Sequence, residues 1–160
     1  KYVVDAAEKL GEEYQVIVVG LNDKQLKQIP SSIIGIKRTN SVEELAKLYS
    51  TADVFINPTL EEMFGLTNIE ALACGTPVIT FDTDGSVECV DSDTGLVVEQ
   101  KNLEELINAI LKITKDKSKY SSHCRDRAEK LYNFDRYYNE YLELYEKVIN
   151  DYQKNKDGVI

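Results

Sequence analysis

The stretch that most constrains the fold is residues 54–80, which predicts a strand, a loop, a short helix and a second strand in direct succession. The helical part carries small side chains at Ala71, Ala73 and Cys74, so it can pack closely against a flat surface such as a sheet. Gly75 is placed to adopt the left-handed conformation that ends a helix, and Pro77 prevents the helix from continuing. The stretch therefore predicts a strand, a helix and a strand that pack as one unit.

The loop before this helix has the composition of a ligand-binding turn. Gly65 permits a sharp turn that exposes backbone amides, and a helix start adds the positive end of a dipole, which suits a phosphate. Glu62 and Glu70 lie on either side of it, with seven residues between them. A carboxylate beside such a site suits a sugar, because it accepts from neighbouring hydroxyls, as acidic residues do for ribose in dinucleotide-binding folds. The pattern indicates a nucleotide-sugar ligand, although a surface loop with solvated glutamates has the same spacing.

The same residues resemble the donor-binding signature of the retaining family-4 (group 1) glycosyltransferases, which have the GT-B fold. That signature consists of two glutamates with seven residues between them, followed by Ala-x-Ala-x-Gly-x-Pro-Val. The matching residues here are Glu62-Met63-Phe64-Gly65 and Glu70-Ala71-Leu72-Ala73-Cys74-Gly75-Thr76-Pro77-Val78-Ile79.

The resemblance implies a role for each matching residue. Glu62 faces the transferred sugar and is the catalytic residue, whereas Glu70 holds the ribose of the donor. The amides that follow Phe64 bind the diphosphate. The donor-binding residues of this loop are then Met63, Phe64, Gly65, Leu66 and Thr67.

Two other segments depart from the family pattern. Similar enzymes hold the base of the donor against the loop after the second strand, which implies Arg38, Thr39 and Asn40 here. Arg38 replaces a glycine often found nearby and is equally well explained as a solvated loop residue. In the turn after the last strand of the motif, Asp84 and Val87 replace a glycine and a proline common in the family. The base of the donor and any contact that this turn makes near the phosphates therefore stay open.

Apolar runs and periodic patterns alternate along the whole chain. The predicted strands are 14–20, 33–37, 54–56, 77–81 and 95–98. The predicted helices are 1–10, 24–29, a segment that Ser41 and Glu44 begin with a capping box, 102–115, 118–132 and about 135–152 with Asp135 as cap. This alternation predicts the α/β class, with a doubly wound Rossmann-like parallel sheet. The resemblance narrows this to the C-terminal half of a GT-B fold.

The last predicted helix carries a stripe of tyrosines, and similar enzymes cross back to their N-terminal domain at this point. We therefore expect residues 1–152 to form a donor-binding domain whose last helix faces a missing N-terminal acceptor domain. Residues 153–160 are expected to be a frayed tail. The first helix begins without a capping residue, which indicates that the sequence was cut from a longer protein.

Charge and cysteine content exclude several classes of protein. A formal net charge of −9 argues against a nucleic-acid surface, which needs a basic stripe. Three scattered cysteines at positions without metal-ligand spacing indicate buried thiols in a reducing compartment. The sequence has no apolar run long enough for a transmembrane segment and no signal peptide. We predict a cytoplasmic location, with peripheral association of the longer protein at the inner face of the membrane left open.

The resemblance implies transfer of a sugar from a nucleoside diphosphate sugar to an acceptor hydroxyl, with retained anomeric configuration. No metal and no cofactor are expected, because amides and a basic pair stabilise the leaving diphosphate in similar enzymes. That pair belongs to a segment before residue 1, so the chain alone is expected to be inactive. Two alternatives stay open: a non-catalytic nucleotide-sugar binding module, and a nucleotide-sugar epimerase of the same architecture.

Overall fold

The computed structural model describes residues 1–157 and the side chains of residues 1–155. Five strands alternate with helices, as the sequence predicts. The strands are β1 (Val16–Val19), β2 (Ile33–Ile36), β3 (Phe55–Asn57), β4 (Val78–Phe81) and β5 (Gly95–Val98). The helices are α1 (Tyr2–Leu10), α2 (Asp23–Leu26), α3 (Val42–Thr51), α4 (Leu66–Ala73), α5 (Leu103–Lys115), α6 (Ser118–Leu131) and α7 (Phe134–Asp157).

Every strand pairing in the described part of the chain is parallel, which confirms the predicted α/β class. The strands form two ladders, one of β1 with β2 and one in the order β3–β4–β5. In the second ladder Phe55 lies opposite Val78, and Val78 lies opposite Gly95. The carboxyl ends of β3 and β4 therefore lie side by side, and the loops that leave them meet at one edge of the ladder.

Strand β4 lies at the centre of the core. All four of its residues are buried, because α4 and α5 both pack against it and cover the side chains on either face. Leu72 of α4 and Leu106 of α5 are fully buried there. At Gly95 an added Cβ would lie 1.9 Å from the Val78 carbonyl oxygen, so the glycine permits β4 and β5 to approach.

The predicted close packing of α4 through its small side chains is confirmed only in part. Ala71 is fully buried, but Cys74 is half-buried and Ala73 is exposed. The helix packs against α6 as well as against β3 and β4. Gly75 adopts the predicted left-handed conformation with φ 76°, and the Thr76 amide donates back to the Ala71 carbonyl, as in a Schellman ending.

Two predicted helix caps are wrong in detail. At α3 the Ser41 hydroxyl accepts from the Glu44 amide, but the Glu44 carboxylate accepts from Asn40 instead of Ser41, so the capping box is not reciprocal. At α7 the cap is Asn133, whose side chain accepts from the Arg136 amide, and not Asp135. In each case a neighbouring residue makes the expected contact instead: Asn40 bonds the Glu44 carboxylate, and Asn133 bonds the Arg136 amide.

The final helix α7 is longer than predicted and is exposed along its length. It continues to Asp157, past the expected end at 152, and residues 158–160 of the predicted tail lie outside the described residues. Its large apolar side chains are all exposed: Phe134, Tyr137, Tyr138, Tyr141, Leu142, Leu144, Tyr145, Val148, Ile149 and Tyr152. None of the helices within residues 1–157 is both long enough and apolar enough to span a bilayer.

Candidate functional site

The loop between β3 and α4 turns at Gly65, as the sequence predicts. Gly65 has φ 72° and ψ 45°, a left-handed conformation, and its carbonyl accepts from the Asn68 and Ile69 amides. No side chain caps the start of α4. Leu66 and Thr67 form its first turn, where backbone N–H groups have no acceptor inside the helix. These amides and the helix dipole together favour an anion at this position.

Glu62 lies in the loop just before this turn and is half-buried. Its carboxylate oxygen Oε1 accepts from the Met63 amide at 3.1 Å and from the Phe64 amide at 3.5 Å. Met63 is 96% exposed, and the Phe64 ring packs edge-on against Tyr132 with 6.1 Å between the ring centres. The carboxylate thus occupies the amides of Met63 and Phe64, and it does not bond the amides from Gly65 onwards.

Glu70 lies one turn and a half into α4 and is held by a residue that the sequence did not assign to the site. The Tyr49 hydroxyl of α3 donates to Glu70 Oε2 at 3.2 Å. Burial raises the pKa of Tyr49, and the neighbouring Glu70 charge raises it further, so the hydroxyl keeps its proton and remains a donor. Thr76 donates to the Tyr49 carbonyl at 2.6 Å, and Phe55 packs edge-on against the ring.

The sequence places Tyr49 in the helix that begins after Ser41 and gives it no role in the site. A tyrosine at a partly buried position does predict a hydrogen bond, because its hydroxyl needs a partner there. The sequence does not show which residue that partner is, since Tyr49 and Glu70 lie on different helices.

Residues 38–40 follow β2, where the base-binding segment is predicted. Arg38 and Asn40 are exposed and Thr39 is half-buried. Asn40 donates to the Glu44 carboxylate from its backbone amide at 2.6 Å and from its side chain at 2.9 Å. Among the described residues, no hydrogen bond or ion pair joins this segment to Glu62 or Glu70. The structure therefore gives Asn40 a structural contact at the start of α3 and leaves the predicted base contact untested.

The turn after β4 lies directly against the loop. The Gly85 amide donates to the Glu62 carbonyl at 3.0 Å. A Cβ added at Gly85 would lie 2.0 Å from the Met63 carbonyl oxygen, a distance that no side chain tolerates. Gly85 thus packs this turn against the Glu62 loop, and the contact near the phosphates that the sequence left open stays untested.

A depression of about 270 Å³ opens beside the loop. Its lining includes four carboxylate side chains, which suit the hydroxyls of a sugar better than a phosphate. The lining residues are Leu60, Glu61, Glu62, Met63, Asp82, Thr83, Asp84 and Gln100. A larger depression of about 490 Å³, between Tyr14 and Thr114, contains no residue of the motif. No group of three metal-ligating side chains capable of holding an ion occurs in the described part of the chain.

A parallel α/β fold with a glycine turn between two such glutamates defines a domain of the GT-B glycosyltransferase class. Residues 1–116 match the family described as Glycosyl transferases group 1, and the chain belongs to this family. A probable sucrose-phosphate synthase of Thermosipho melanesiensis is 39% identical over 112 residues, which are 67% of this chain and 26% of that protein.

Solved structures have the same fold. Sucrose-phosphate synthase from Thermosynechococcus elongatus superposes with a TM-score of 0.81 at 27% identity, over 94% of this chain and 42% of that one. HepE of Anabaena in complex with UDP superposes with a TM-score of 0.79 at 21% identity, over 91% of this chain and 44% of that one. This chain spans 18% to 35% of the length of the first curated relatives it matches.

Proposed function

We propose that this chain is the donor-binding domain of a glycosyltransferase. The longer protein would transfer a sugar from a nucleoside diphosphate sugar to an acceptor hydroxyl, with retention of the anomeric configuration. One observation carries the proposal: the left-handed Gly65 turn opens α4 between Glu62 and Glu70, at the edge where the loops after β3 and β4 meet. Such an arrangement offers an anion site and a carboxylate on each side of it.

In this proposal Glu70 accepts hydrogen bonds from the ribose hydroxyls of the donor. Its carboxylate is exposed, and one oxygen is oriented by the Tyr49 hydroxyl, which leaves the other oxygen for the ligand. A carboxylate that is already held in place loses less entropy on binding than a free one.

The diphosphate lies on the amides of Gly65, Leu66 and Thr67. The preceding amides of Met63 and Phe64 are engaged by Glu62, so the anion site begins at the glycine. These neutral donors and the helix dipole supply positive potential without a metal ion, and a basic pair from another part of the longer protein would add charge.

The transferred sugar occupies the depression of about 270 Å³ beside the loop. Its carboxylates accept from sugar hydroxyls, and Glu62 faces the carbon at which positive charge develops during transfer. A fixed carboxylate near that carbon stabilises the transition state more than the ground state, so Glu62 serves turnover more than binding.

The exposed aromatic face of α7 is the surface on which an acceptor-binding domain of the longer protein would lie. This helix exposes ten large apolar side chains, and large exposed apolar surfaces mark sites of contact with other proteins or domains. The acceptor domain contributes the second substrate, and orientation of donor against acceptor accounts for roughly 7–11 kcal/mol of such barriers. The chain alone is therefore expected to bind nucleotide weakly and not to catalyse transfer.

Calorimetric titration of the purified 160-residue chain with UDP, ADP, GDP and their glucose conjugates tests the donor site. We expect one nucleotide series to bind, and Glu70→Gln to weaken that binding. Glu8→Gln, an exposed glutamate on α1 away from the motif, is the matched control and should leave affinity unchanged. Equal affinities for all three proteins, or no binding of any nucleotide, would contradict the proposed site.

A further inference from the structure

A buried chain of polar side chains lies directly behind the Gly65 turn. The Asn57 side-chain amide donates to Asn68 Oδ1 at 3.0 Å, and Asn68 Nδ2 donates to the Ser86 hydroxyl at 3.0 Å. The Ser86 hydroxyl also bonds the Thr80 hydroxyl. Asn68, Thr80 and Ser86 are fully buried, so water does not compete for these hydrogen bonds. We call these four residues the Asn68 network.

Packing alone does not explain an asparagine at this position. Asn68 lies on the inner face of α4, one turn before Leu72, which is equally buried and apolar. Burying an amide is unfavourable unless all its hydrogen bonds are made, and asparagine forms helices less readily than leucine. No described buried side-chain nitrogen or oxygen lacks a partner, so the network is complete. A complete buried network fixes one geometry, which apolar contacts do less strictly.

The network joins the backbone segments that surround the proposed donor loop. Asn57 ends β3, Asn68 lies in the first turn of α4, and Ser86 belongs to the turn after β4. Ser86 follows Gly85, whose amide holds the Glu62 carbonyl. A Cβ added at Gly65 would lie 3.0 Å from Asn68 Nδ2, so the asparagine amide is also the surface against which the glycine turn packs.

We propose that Asn68 is the positioning residue that holds the Gly65 turn and the Glu62 loop in the conformation that binds the donor. It contacts no ligand itself, and it acts through Ser86 on one side and through Gly65 on the other. This inference rests on the proposed function, because it is the donor whose binding depends on the turn.

The test compares Asn68→Leu, which keeps the branching and the number of side-chain heavy atoms and removes every hydrogen bond of the amide, with Asn108→Leu, the same change at an exposed position on α5. Ser86→Ala is a second variant that removes the Ser86 hydroxyl and changes little volume, in case Asn68→Leu does not fold. Two quantities are measured in the 160-residue chain: the affinity for UDP, and the hydrogen-exchange rates of the Gly85 and Gly95 amides.

The two amides separate a local effect from a global one. The Gly85 amide is bonded to Glu62 in the loop, whereas the Gly95 amide is bonded to the Asp91 carbonyl at the start of β5. We expect Gly85 exchange to accelerate about tenfold in Asn68→Leu and in Ser86→Ala, as loss of a buried hydrogen bond predicts, with Gly95 unchanged. UDP affinity should fall by a similar factor, and Asn108→Leu should change neither quantity.

Three results would overturn the proposal. Equal acceleration at Gly85 and Gly95 would mean that Asn68 stabilises the whole domain, and unchanged exchange at Gly85 would mean that it does not hold the loop. Faster exchange at Gly85 with unchanged UDP affinity would mean that the loop conformation is irrelevant to the donor. If the unmodified chain does not bind UDP while other nucleotides bind, the same affinity comparison is made with the nucleotide that binds. If no nucleotide binds, the proposed function has failed, and the exchange rates alone decide whether Asn68 positions the loop.

Discussion

The two ladders of the molecule are built from similar sequences and have different surroundings. Strand β1 reads Val-Ile-Val-Val and β4 reads Val-Ile-Thr-Phe, yet β4 is buried throughout, whereas Ile17 and Val19 of β1 are 46% and 38% exposed. The difference lies in what covers each strand, since α4 and α5 pack on β4. An apolar run therefore predicts a strand, but its burial depends on elements far away in the sequence.

The ladders also differ at the turns that leave their strands. Gly20 after β1 and Gly65 after β3 both have positive φ. An added Cβ at Gly20 would meet nothing within 4 Å, whereas Gly65 packs against Asn68 in a buried polar network. Only the second turn is surrounded by groups that fix its shape, which is what a binding site needs.

The largest expected effect is on the free energy of unfolding, and it compares one truncated side chain in each ladder. Phe81→Ala should lower the free energy of unfolding by about 3–5 kcal/mol, because it opens a cavity in a fully buried core. Ile17→Ala should cost about 1 kcal/mol, because nearly half of that side chain already contacts water. Urea denaturation of both variants measures the two losses. Equal losses would mean that the β1–β2 ladder is as well covered as the core.

The second prediction distinguishes the roles of Glu70 in donor binding and of Glu62 in turnover, both measured in the longer protein. Glu70→Ala should weaken donor binding by about 1.5–3 kcal/mol, the range for a hydrogen bond to a charged group. Glu62→Gln should instead lower the turnover number and alter sugar preference, with little effect on nucleotide affinity. Steady-state kinetics with direct titration of the donor measures both. Unchanged donor affinity in a folded Glu70→Ala protein would remove Glu70 from the site.

A smaller effect is expected at Tyr49, which orients Glu70. Tyr49→Phe keeps the ring contact with Phe55 and removes one hydrogen bond, so nucleotide affinity should fall by about 0.5–1.5 kcal/mol. Tyr14→Phe is the matched control, because the Tyr14 hydroxyl bonds Thr114 at 3.4 Å, away from the motif. Isothermal titration of both variants gives the comparison, and an equal loss in the control would show that Tyr49 has no particular role at Glu70.

The smallest effect concerns acid stability at the start of β5. Burial acts to raise the pKa of Asp91, but the Thr94 hydroxyl and the Arg127 charge outweigh it and hold that pKa below its usual value. A carboxyl with a lowered folded pKa stabilises the fold above its unfolded pKa of about 4, and this contribution is lost as the pH falls through the folded pKa.

Asp91→Asn should therefore remove part of the decline in unfolding free energy between about pH 5 and pH 3. Asp23→Asn, at the start of the α2 helix that connects β1 with β2, is the comparison. Its partner Lys37 and Asp23 itself are 63% and 74% exposed, and such pairs contribute about 0–1 kcal/mol. Denaturant titrations across this pH range measure the slopes. Parallel slopes for Asp91→Asn and the unmodified chain would contradict the assignment.

The strands, helices and glycine turns could be predicted because their signals are local. Apolar runs located all five strands, and the conformations of Gly65 and Gly75 follow from the absence of a side chain at a tight turn. The ends of helices were less predictable. Asn40 donates to the Glu44 carboxylate in place of the Ser41 amide, and Asn133 accepts from the Arg136 amide in place of Asp135, because several polar groups near a helix start can reach the same partner.

The site itself could be predicted only as a set of motif residues. Tyr49, which holds Glu70, and Ser86, which bonds Asn68 behind the Gly65 turn, lie on other elements, and nothing in the spacing of the motif identifies either residue. Asn68 also departs from the apolar residue that its inward position favours. Such departures cannot be interpreted until the fold shows which other polar residues are buried beside them.

The contact of Glu62 with the Met63 and Phe64 amides has a consequence for selectivity. The carboxylate is tethered one and two residues from these donors, so its effective concentration there is far higher than that of any anion in solution. Free phosphate must compete with this tethered group at the first two amides of the loop. Phosphate and a nucleoside diphosphate are then both left with the amides of Gly65, Leu66 and Thr67, and only the nucleotide also has a ribose for Glu70, so the loop should favour the donor over inorganic phosphate.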